Sequence, residues 1–131
     1  MAKQTFPCSL ITPEGILFEG QVTRVILTAH DGQLAILPNH APLICRLGAG
    51  RLRLDTREGI RTWFVDHGVA HLGSGQLLVL TEVALRPEEL NRQHALEMLE
   101  EARRMPTDTD ESLRLRDQIT ASARAQLRMI G

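Results

Sequence analysis

The chain changes its hydrophobic period once, near Arg86. Upstream of that residue, apolar and polar side chains alternate in short runs divided by glycine and proline turns, which is the pattern of β-strands around a core. Downstream, apolar residues recur every three or four positions, which is the pattern of amphipathic helices. A chain that separates the two patterns in this way has strands first and helices second. We therefore expect two domains, residues 1–85 and residues 86–131.

The first part predicts an antiparallel β-structure. Val22 to Ala29 is expected to form one strand with apolar side chains on both faces, and Arg51 to Asp55 alternates inward leucines with outward charges. Turns are expected at Asp31-Gly32, at Thr56 to Gly59 and at Gly73 to Gly75. Because no helical segment interrupts these runs, the expected architecture is an antiparallel β-sandwich or flattened barrel.

The second part predicts two helices joined by a brief loop. Pro87 suits a first helical position, and Pro106 ends the helix because proline lacks the amide hydrogen that a helix interior needs. The first helix carries one apolar stripe, formed by Ala95, Met98, Leu99 and Ala102. The second carries an apolar row spaced by four, formed by Leu115, Ile119, Ala123 and Leu127. Two short amphipathic helices of this kind pack as an antiparallel hairpin.

Composition argues against several classes of function. Fifteen Lys and Arg against sixteen Asp and Glu leave a net charge of −1, and aromatic residues make up 3% of the chain, so neither phosphate neutralisation nor base stacking supports nucleic-acid binding. No run approaches the roughly eighteen apolar residues of a membrane-spanning helix, and no signal peptide is recognisable. Cys8 and Cys45 are expected to be free, buried thiols, with a structural disulfide as the alternative.

Residues that could carry chemistry are few. Gly48-Ala49-Gly50 lacks the third glycine and the following helix of a dinucleotide site. His67 and His71 would stand about 13 Å apart on a strand, too far to share a metal ion. Asp66 and His67 are adjacent, and neighbours in a strand face opposite sides. We therefore expect no catalytic residue, no metal site and no cofactor.

The segment from Asp31 to Leu43 combines turn-forming residues with small apolar ones. Pro38 and Pro42 restrict the residues before them to extended backbone, so the segment is expected to form a stiff loop that protrudes between two strands. A plain rigid turn is the alternative.

This segment resembles the DGxLGxLPxHAPL sequence typical of epsilon subunits of F-type ATP synthases, with Ala35 in place of the usual glycine. Three upstream stretches are similar to the opening strands of that family: Ile11 to Gly15, Leu17 to Gly20 and Val22 to Val25. Three downstream stretches are similar to its later parts: Gly50 to Leu54, Val65 to Ala70 and Ala125 to Ile130. In the second of these, His67 stands where glycine is common. The resemblance covers essentially the whole chain.

The resemblance implies a non-catalytic rotor subunit. Members of the family have a flattened sandwich of about ten strands that binds the gamma subunit and rests on the c-ring, followed by a mobile helical hairpin. The loop from Asp31 to Pro42 would face the ring and the gamma subunit, and its contact residues would be Asp31, Gly32, Gln33, Pro38, Asn39, His40 and Pro42. The subunit would help to couple proton transport through the ring to ATP synthesis in the catalytic head. It would be a peripheral membrane protein at the cytoplasmic face of a bacterial plasma membrane, held there only through the complex.

The same resemblance implies that the hairpin extends towards the alpha and beta subunits of the catalytic head and inhibits ATP hydrolysis. Three arginines of the second helix fall opposite its apolar row on a helical wheel and would meet acidic groups there: Arg114, Arg124 and Arg128. A solvated charged face, without a partner, is the alternative for these arginines.

Some bacterial members of the family bind ATP through a motif of the form I/L-D-x-x-R-A. The corresponding residues here are Leu90, Asn91, His94 and Ala95, so Asn91 replaces the acid and His94 replaces the arginine. The charge-assisted contacts of the motif are thereby lost or weakened. We expect ATP binding by this chain to be weak or absent.

Two other classes of function stay open on the sequence alone. One is a free-standing β-sandwich module for protein interactions, unrelated to the synthase. The other is an enzyme that uses His40, His67 or Asp66. Co-purification with a gamma subunit tests the first, and metal analysis with activity screening tests the second.

Overall fold

The computed structural model describes residues 4–131. Within that range, eight strands come first along the chain, followed by a single 3-10 turn and two helices. The strands are β1 Phe6–Thr12, β2 Gly15–Val22, β3 Arg24–Ala29, β4 Gly32–Ile36, β5 Leu43–Leu47, β6 Gly50–Thr56, β7 Gly59–Gly73 and β8 Gln76–Leu85. The 3-10 turn is Pro87–Glu89, and the helices are α1 Arg92–Arg104 and α2 Asp110–Ile130.

The strands form a flattened, two-layered β-structure. Hydrogen bonds connect them in the order β2-β1-β8-β7-β5-β3-β4, and β6 bridges β3 and β7, so that the sheet closes on itself. The pairing of β1 with β8 is parallel, and the other pairings are antiparallel. The expected sandwich is confirmed, with one parallel pair that the alternation of the sequence did not indicate.

Two long strands account for the difference between the ten strands expected and the eight observed. β7 has 15 residues and β8 has 10. β7 pairs with β6 over Gly59 to Val65 and with β5 from Gly68 onward, so one continuous strand serves both layers. The partner changes at a kink where His67 has φ 60° and Gly68 has φ 155°. A side chain at Gly68 would overlap the carbonyl oxygen of Leu80, so glycine is required there.

The core lies between the two layers and is built from the inward positions of the alternating strands. Leu52 and Leu54 of β6 are fully buried, as predicted, while Arg51 beside them is exposed. Trp63 of β7 is buried in this core and packs edge-on against Phe18 of β2, with the ring centroids 6.0 Å apart. The core thereby joins β2, β6 and β7.

The turns predicted from local sequence are confirmed, and one strand boundary is corrected. Tight turns connect β3 to β4, β6 to β7 and β7 to β8 at His30-Asp31, Arg57-Glu58 and Ser74-Gly75. The strand expected to run without a break from Val22 to Ala29 is divided at Thr23. The N–H and the hydroxyl of Thr23 both donate to the carbonyl oxygen of Asp55, at 2.7 and 3.1 Å, and the chain passes there from β2 to β3.

The first helix begins later than the sequence suggested. Pro87 opens only the 3-10 turn, and Leu90 after it is extended, with φ −75° and ψ 140°. α1 begins at Arg92 because the Asn91 side chain accepts a hydrogen bond from the His94 N–H at 2.9 Å and so caps the helix. A side-chain cap outweighed the helix-starting preference of proline.

The two helices pack against each other as the expected hairpin, and α2 also lies against β6 and β7. α2 is capped by Thr109, whose side chain accepts from the Ser112 N–H at 3.0 Å. Among the described helical residues, the buried apolar side chains are all alanines: Ala95, Ala102, Ala123 and Ala125. Neither described helix has the length and apolar character needed to cross a bilayer.

The apolar row predicted on α2 is wrong at its N-terminal end. Leu115 is 49% exposed, whereas Ala123 is fully buried and is flanked by the buried Ser122 and Gln126. With 3.6 residues per turn, a row spaced by four drifts round the helix by about 40° at each step, and by about 120° from Leu115 to Leu127. A row of that length cannot face one neighbour throughout.

Candidate partner-binding surfaces

The segment that the sequence presented as one stiff loop is divided by a strand. β4 occupies its middle, so the turn at Asp31 lies at one end of this strand and the turn at Pro38 lies at the other. Five residues of about 3.3 Å each separate the two turns by roughly 16 Å. The single protruding loop is therefore not formed. The structure groups Asp31 with Gly32 and Gln33 at one end, and Pro38 with Asn39, His40 and Pro42 at the other.

The turn at Pro38 has a defined geometry. The His40 N–H donates to the Leu37 carbonyl at 3.1 Å, with Pro38 and Asn39 as the central residues and Asn39 at φ 68°. This is the arrangement of a type II turn, in which proline fixes the first central residue and asparagine tolerates positive φ at the second. Asn39 Nδ2 donates to Gln4 Oε1 at 3.1 Å and connects the turn to the segment before β1. The Leu37 side chain, 54% exposed, stands beside it.

One outer layer of the sandwich presents a contiguous apolar surface. Across β2, β1, β8 and β7, the register places side by side Ile16, Ile11, Leu80 and Val69. The next row, on β8, β7 and β5, contains Leu78, His71 and Ile44. The exposed fractions reach 58% at Ile16, 44% at Leu80 and 72% at Ile44. These seven residues are called the apolar face below.

The apolar face was not predicted, although the sequence contains a signal for it. An exposed apolar patch of this kind marks a binding surface on a soluble protein. Leu77 to Leu80 is apolar at four successive positions, so β8 is apolar on its outer as well as its inner side. Glu19 and Arg46 flank the face, opposite Ser9 and Val69 in the register. Charges at the rim and apolar side chains at the centre are the usual anatomy of a protein interface.

The three arginines singled out on α2 are all exposed, but they do not form one patch. Arg124 and Arg128 are one turn apart near the C-terminal end of the helix. Arg114 precedes Arg124 by ten residues, which places it about 15 Å away along the axis and about 80° round the helix. The structure therefore brings two of the three together.

The residues of the degenerate nucleotide motif have a structural role in this chain. The side chain of Asn91 is engaged as the cap of α1, and Ala95 is fully buried within the hairpin. Leu90 is half-buried and His94 is exposed. The concave surface along α1 is lined in part by three carboxylates, which repel phosphate: Glu97, Glu100 and Glu101.

Asp66 and His67 contact each other, contrary to expectation. His67 Nδ1 lies 3.1 Å from Asp66 Oδ1. Strand neighbours face opposite sides only where the backbone is extended, and His67 has φ 60°, which turns its side chain towards Asp66. His71 lies on the apolar face instead. Within residues 4–131, no three His, Cys, Asp or Glu side chains gather as a metal site would require.

An ion-pair cluster and two thiols complete the titratable groups of interest. Arg24 Nη2 and Arg53 Nε lie 2.9 and 2.7 Å from the carboxylate of Asp55. Partial burial alone would raise the pKa of Asp55, but hydrogen bonds from Arg53 and Arg24 outweigh burial and lower the pKa below its ordinary value.

Cys8 and Cys45 are free thiols, as expected, although Cys45 is only half-buried. Burial raises the pKa of Cys8 to about 12, so this thiol is unreactive.

Several known proteins are similar to this chain in sequence. Residues 5–87 match the family described as ATP synthase, Delta/Epsilon chain, beta-sandwich domain. The ATP synthase epsilon chain of Rhodopirellula baltica is 37% identical over 121 residues, which cover 92% of this chain and 94% of that one. The ATP synthase epsilon chain of Persephonella marina is 33% identical over 99 residues, covering 75% of this chain and 73% of that one.

Two solved structures have the same fold. A chain in the Euglena gracilis mitochondrial ATP synthase superposes with a TM-score of 0.85 at 16% identity, covering 100% of this chain and 85% of that one. A chain in the central stalk and c-ring structure of the Tetrahymena thermophila mitochondrial ATP synthase superposes with a TM-score of 0.79 at 14% identity, covering 100% of both. Since the superposition spans the full chain, the shared fold includes the hairpin as well as the sandwich.

Proposed function

This chain belongs to the ATP synthase delta/epsilon chain family, and from that premise we propose that it is the epsilon subunit of an F-type ATP synthase. In this role it is a non-catalytic rotor subunit that helps to couple proton transport through the c-ring to ATP synthesis in the catalytic head. Its partners are the gamma subunit, the c-ring and, through the hairpin, the alpha and beta subunits. The complex holds it at the membrane, at the cytoplasmic face in a bacterium. Family membership argues against a free-standing module unrelated to the synthase.

The apolar face is the observation that carries this proposal at the level of residues. Ile16, Val69, Leu80 and Ile44 lie on adjacent strands of one rigid sheet, so a partner can bury them together without reorganising the fold. A rotor subunit must be held firmly against its neighbour, and a preformed apolar surface with a charged rim provides such a contact. We propose that the gamma subunit covers the apolar face.

Co-purification with the gamma subunit tests this assignment. A charge introduced at the centre of a buried apolar contact is costly, so Leu80→Glu and Ile44→Glu are each expected to weaken gamma binding at least tenfold. Ile60→Glu is the matched control, because Ile60 is 60% exposed but lies on the β6–β7 side of the sandwich. Circular dichroism verifies that the three variants fold. Gamma binding at the wild-type level by both face variants would assign gamma to another surface.

The two turns at the ends of β4 are proposed to serve different partners. The turn at Pro38 leads through Pro42 directly into β5, whose second residue, Ile44, belongs to the apolar face. It is therefore continuous with the surface assigned to gamma. The turn at Asp31 lies at the other end of β4, and we assign it to the polar loops of the c-ring.

Site-directed cross-linking in the assembled enzyme distinguishes the two turns. A photoreactive maleimide is attached to Asp31→Cys or to Asn39→Cys in a Cys45→Ser background, where Cys8 is protected by burial. The probe at position 31 is expected to label the c subunit, and the probe at position 39 is expected to label gamma. Labelling of one and the same subunit from both positions would contradict the division.

The hairpin is proposed to inhibit ATP hydrolysis. Deleting Pro87 to Gly131 is expected to raise the hydrolysis rate of the reconstituted enzyme while leaving proton coupling largely intact. Arg124→Ala with Arg128→Ala should reproduce part of the rise, and Arg114→Ala, on a different side of α2, should have a smaller effect. High salt should weaken the wild-type inhibition because the contacts are ionic. An unchanged rate after deletion would make the hairpin a purely structural part.

A further inference from the structure

Phe64 is fully buried, yet it does not belong to the core between the two layers. Its neighbours in β7, Trp63 and Val65, both belong to that core, so the alternation of the strand directs Phe64 to the outer surface of the sheet. On that surface, the register places it between Arg51 of β6 and Leu85 of β8. An aromatic side chain at an outward position is buried only when another element covers it.

The covering element is the helical segment. α2 packs against β6 and β7, and the 3-10 turn Pro87–Glu89 also lies against β7. On α2, Ser122 and Ala125 are buried and share one side of the helix, because they are three residues apart. Small side chains allow a helix to approach a sheet closely but bury little apolar area of their own. Phe64 is thus the large, fully buried side chain that the sheet contributes to this contact.

Among residues 4–131, the side-chain hydrogen bonds and ion pairs of the helices stay within the hairpin. Gln126 Nε2 lies 3.3 Å from Ser122 Oγ and 3.7 Å from Met98 Sδ, which connects α2 to α1. Arg103 pairs with Glu100 within α1, at 3.2 Å. Since these contacts stay inside the hairpin, it can leave the sandwich without breaking them.

We propose that Phe64 is the anchor that holds the hairpin on the sandwich, and that this contact sets how readily the hairpin leaves. The inference rests on the proposed regulatory role of the hairpin. Three leucines of the helices stay exposed in the docked state: Leu96, Leu113 and Leu115 are 39%, 41% and 49% exposed. These leucines remain available to a partner of the undocked hairpin.

Hydrogen exchange of the full chain, followed by mass spectrometry, tests the anchor. Phe64→Ala is expected to speed exchange of the α2 amides at least tenfold, because two short helices are marginally stable without tertiary packing. Exchange in β3 and β6 should be unchanged. Phe64→Leu should restore protection of α2. The matched control is Trp63→Ala, which changes the adjacent residue on the opposite face of the sheet. Unlike Phe64→Ala, this variant should speed exchange of the amides in β2 and β6.

Two results would overturn the proposal. Unchanged α2 exchange in Phe64→Ala would mean that another contact holds the hairpin. Equal loss of protection in β6 and α2 would mean that Phe64 belongs to the sandwich core. The hydrolysis rate of the reconstituted enzyme separates the anchor from the regulatory role: a released hairpin should inhibit more strongly, so the rate should fall in Phe64→Ala. Faster α2 exchange with an unchanged rate supports the anchor and rejects the regulatory role.

Discussion

Among single residues, Asp55 has a direct influence on stability. Its carboxylate accepts hydrogen bonds from Arg53 within β6 and from Arg24 of β3. Partial burial opposes ionisation, but these bonds prevail and lower the pKa of Asp55. A carboxyl whose pKa is lower in the folded chain stabilises the fold above its unfolded-state pKa, about 3.9, and loses that contribution as the pH falls through the folded-state pKa.

Asp55→Asn is therefore expected to lower the free energy of unfolding by about 1 kcal/mol at neutral pH. The difference from the wild type should shrink below about pH 4 and vanish below the folded-state pKa, where both chains carry an uncharged group. Urea unfolding at a series of pH values measures it. Glu58→Gln, in the adjoining exposed turn, is the control and should show no such difference. A deficit that does not change with pH would rule out the ion pairs as its cause.

A second prediction for a single residue concerns the effect of substitutions at Asn39 on stability. The φ of Asn39 is 68°, where most side chains are disfavoured. Asn39→Gly should leave the free energy of unfolding nearly unchanged, since glycine adopts this conformation freely and offsets the lost bond to Gln4. Asn39→Val should cost about 1–2 kcal/mol, because a β-branched side chain is strained there. Denaturant unfolding compares the two variants. Equal stability of both would show that the turn relaxes when it is substituted.

At the scale of elements, local sequence signals predicted the turns. They did not predict the features that depend on contacts between strands distant in the sequence. Asp31-Gly32 and Thr56 to Gly59 were found because each turn is specified by its own residues. The kink at His67 and Gly68 was missed because its cause lies in β8, where the Leu80 carbonyl leaves no room for a side chain at Gly68. The contact between Asp66 and His67 follows from that kink and was missed with it. The apolar face required knowledge of which strands are neighbours, and residue alternation does not supply that register.

The residues at the start of α1 lead to a prediction about nucleotide affinity. Asn91 is engaged as the helix cap, and the adjacent concave surface is acidic, so ATP is expected to bind the isolated subunit with a dissociation constant above about 1 mM. Isothermal titration calorimetry measures it. Asn91→Ala should lower the stability of the helix by about 1 kcal/mol without changing nucleotide affinity. Micromolar binding by the wild type would contradict the structural role assigned to Asn91.

For the whole molecule, the expected division into residues 1–85 and 86–131 leads to a prediction about autonomy. The sandwich has its own closed sheet and core, so a chain ending at Leu85 is expected to unfold cooperatively and to bind gamma with wild-type affinity. Its stability should be modestly lower, because Phe64 and Leu85 lose their cover. Thermal unfolding followed by circular dichroism, and co-purification with gamma, provide the measurements. A truncated chain without a cooperative transition would show that the hairpin is part of the folding unit.

The parallel pair of β1 and β8 also determines an order of events during synthesis. Cys8 pairs with Leu77, 69 residues further along, so the sandwich cannot close until nearly all of its strands have left the ribosome. The two helices are made after these strands. The surface assigned to gamma can therefore be complete while Phe64 has no cover. A nascent chain at that stage is ready for assembly before the hairpin has emerged from the ribosome.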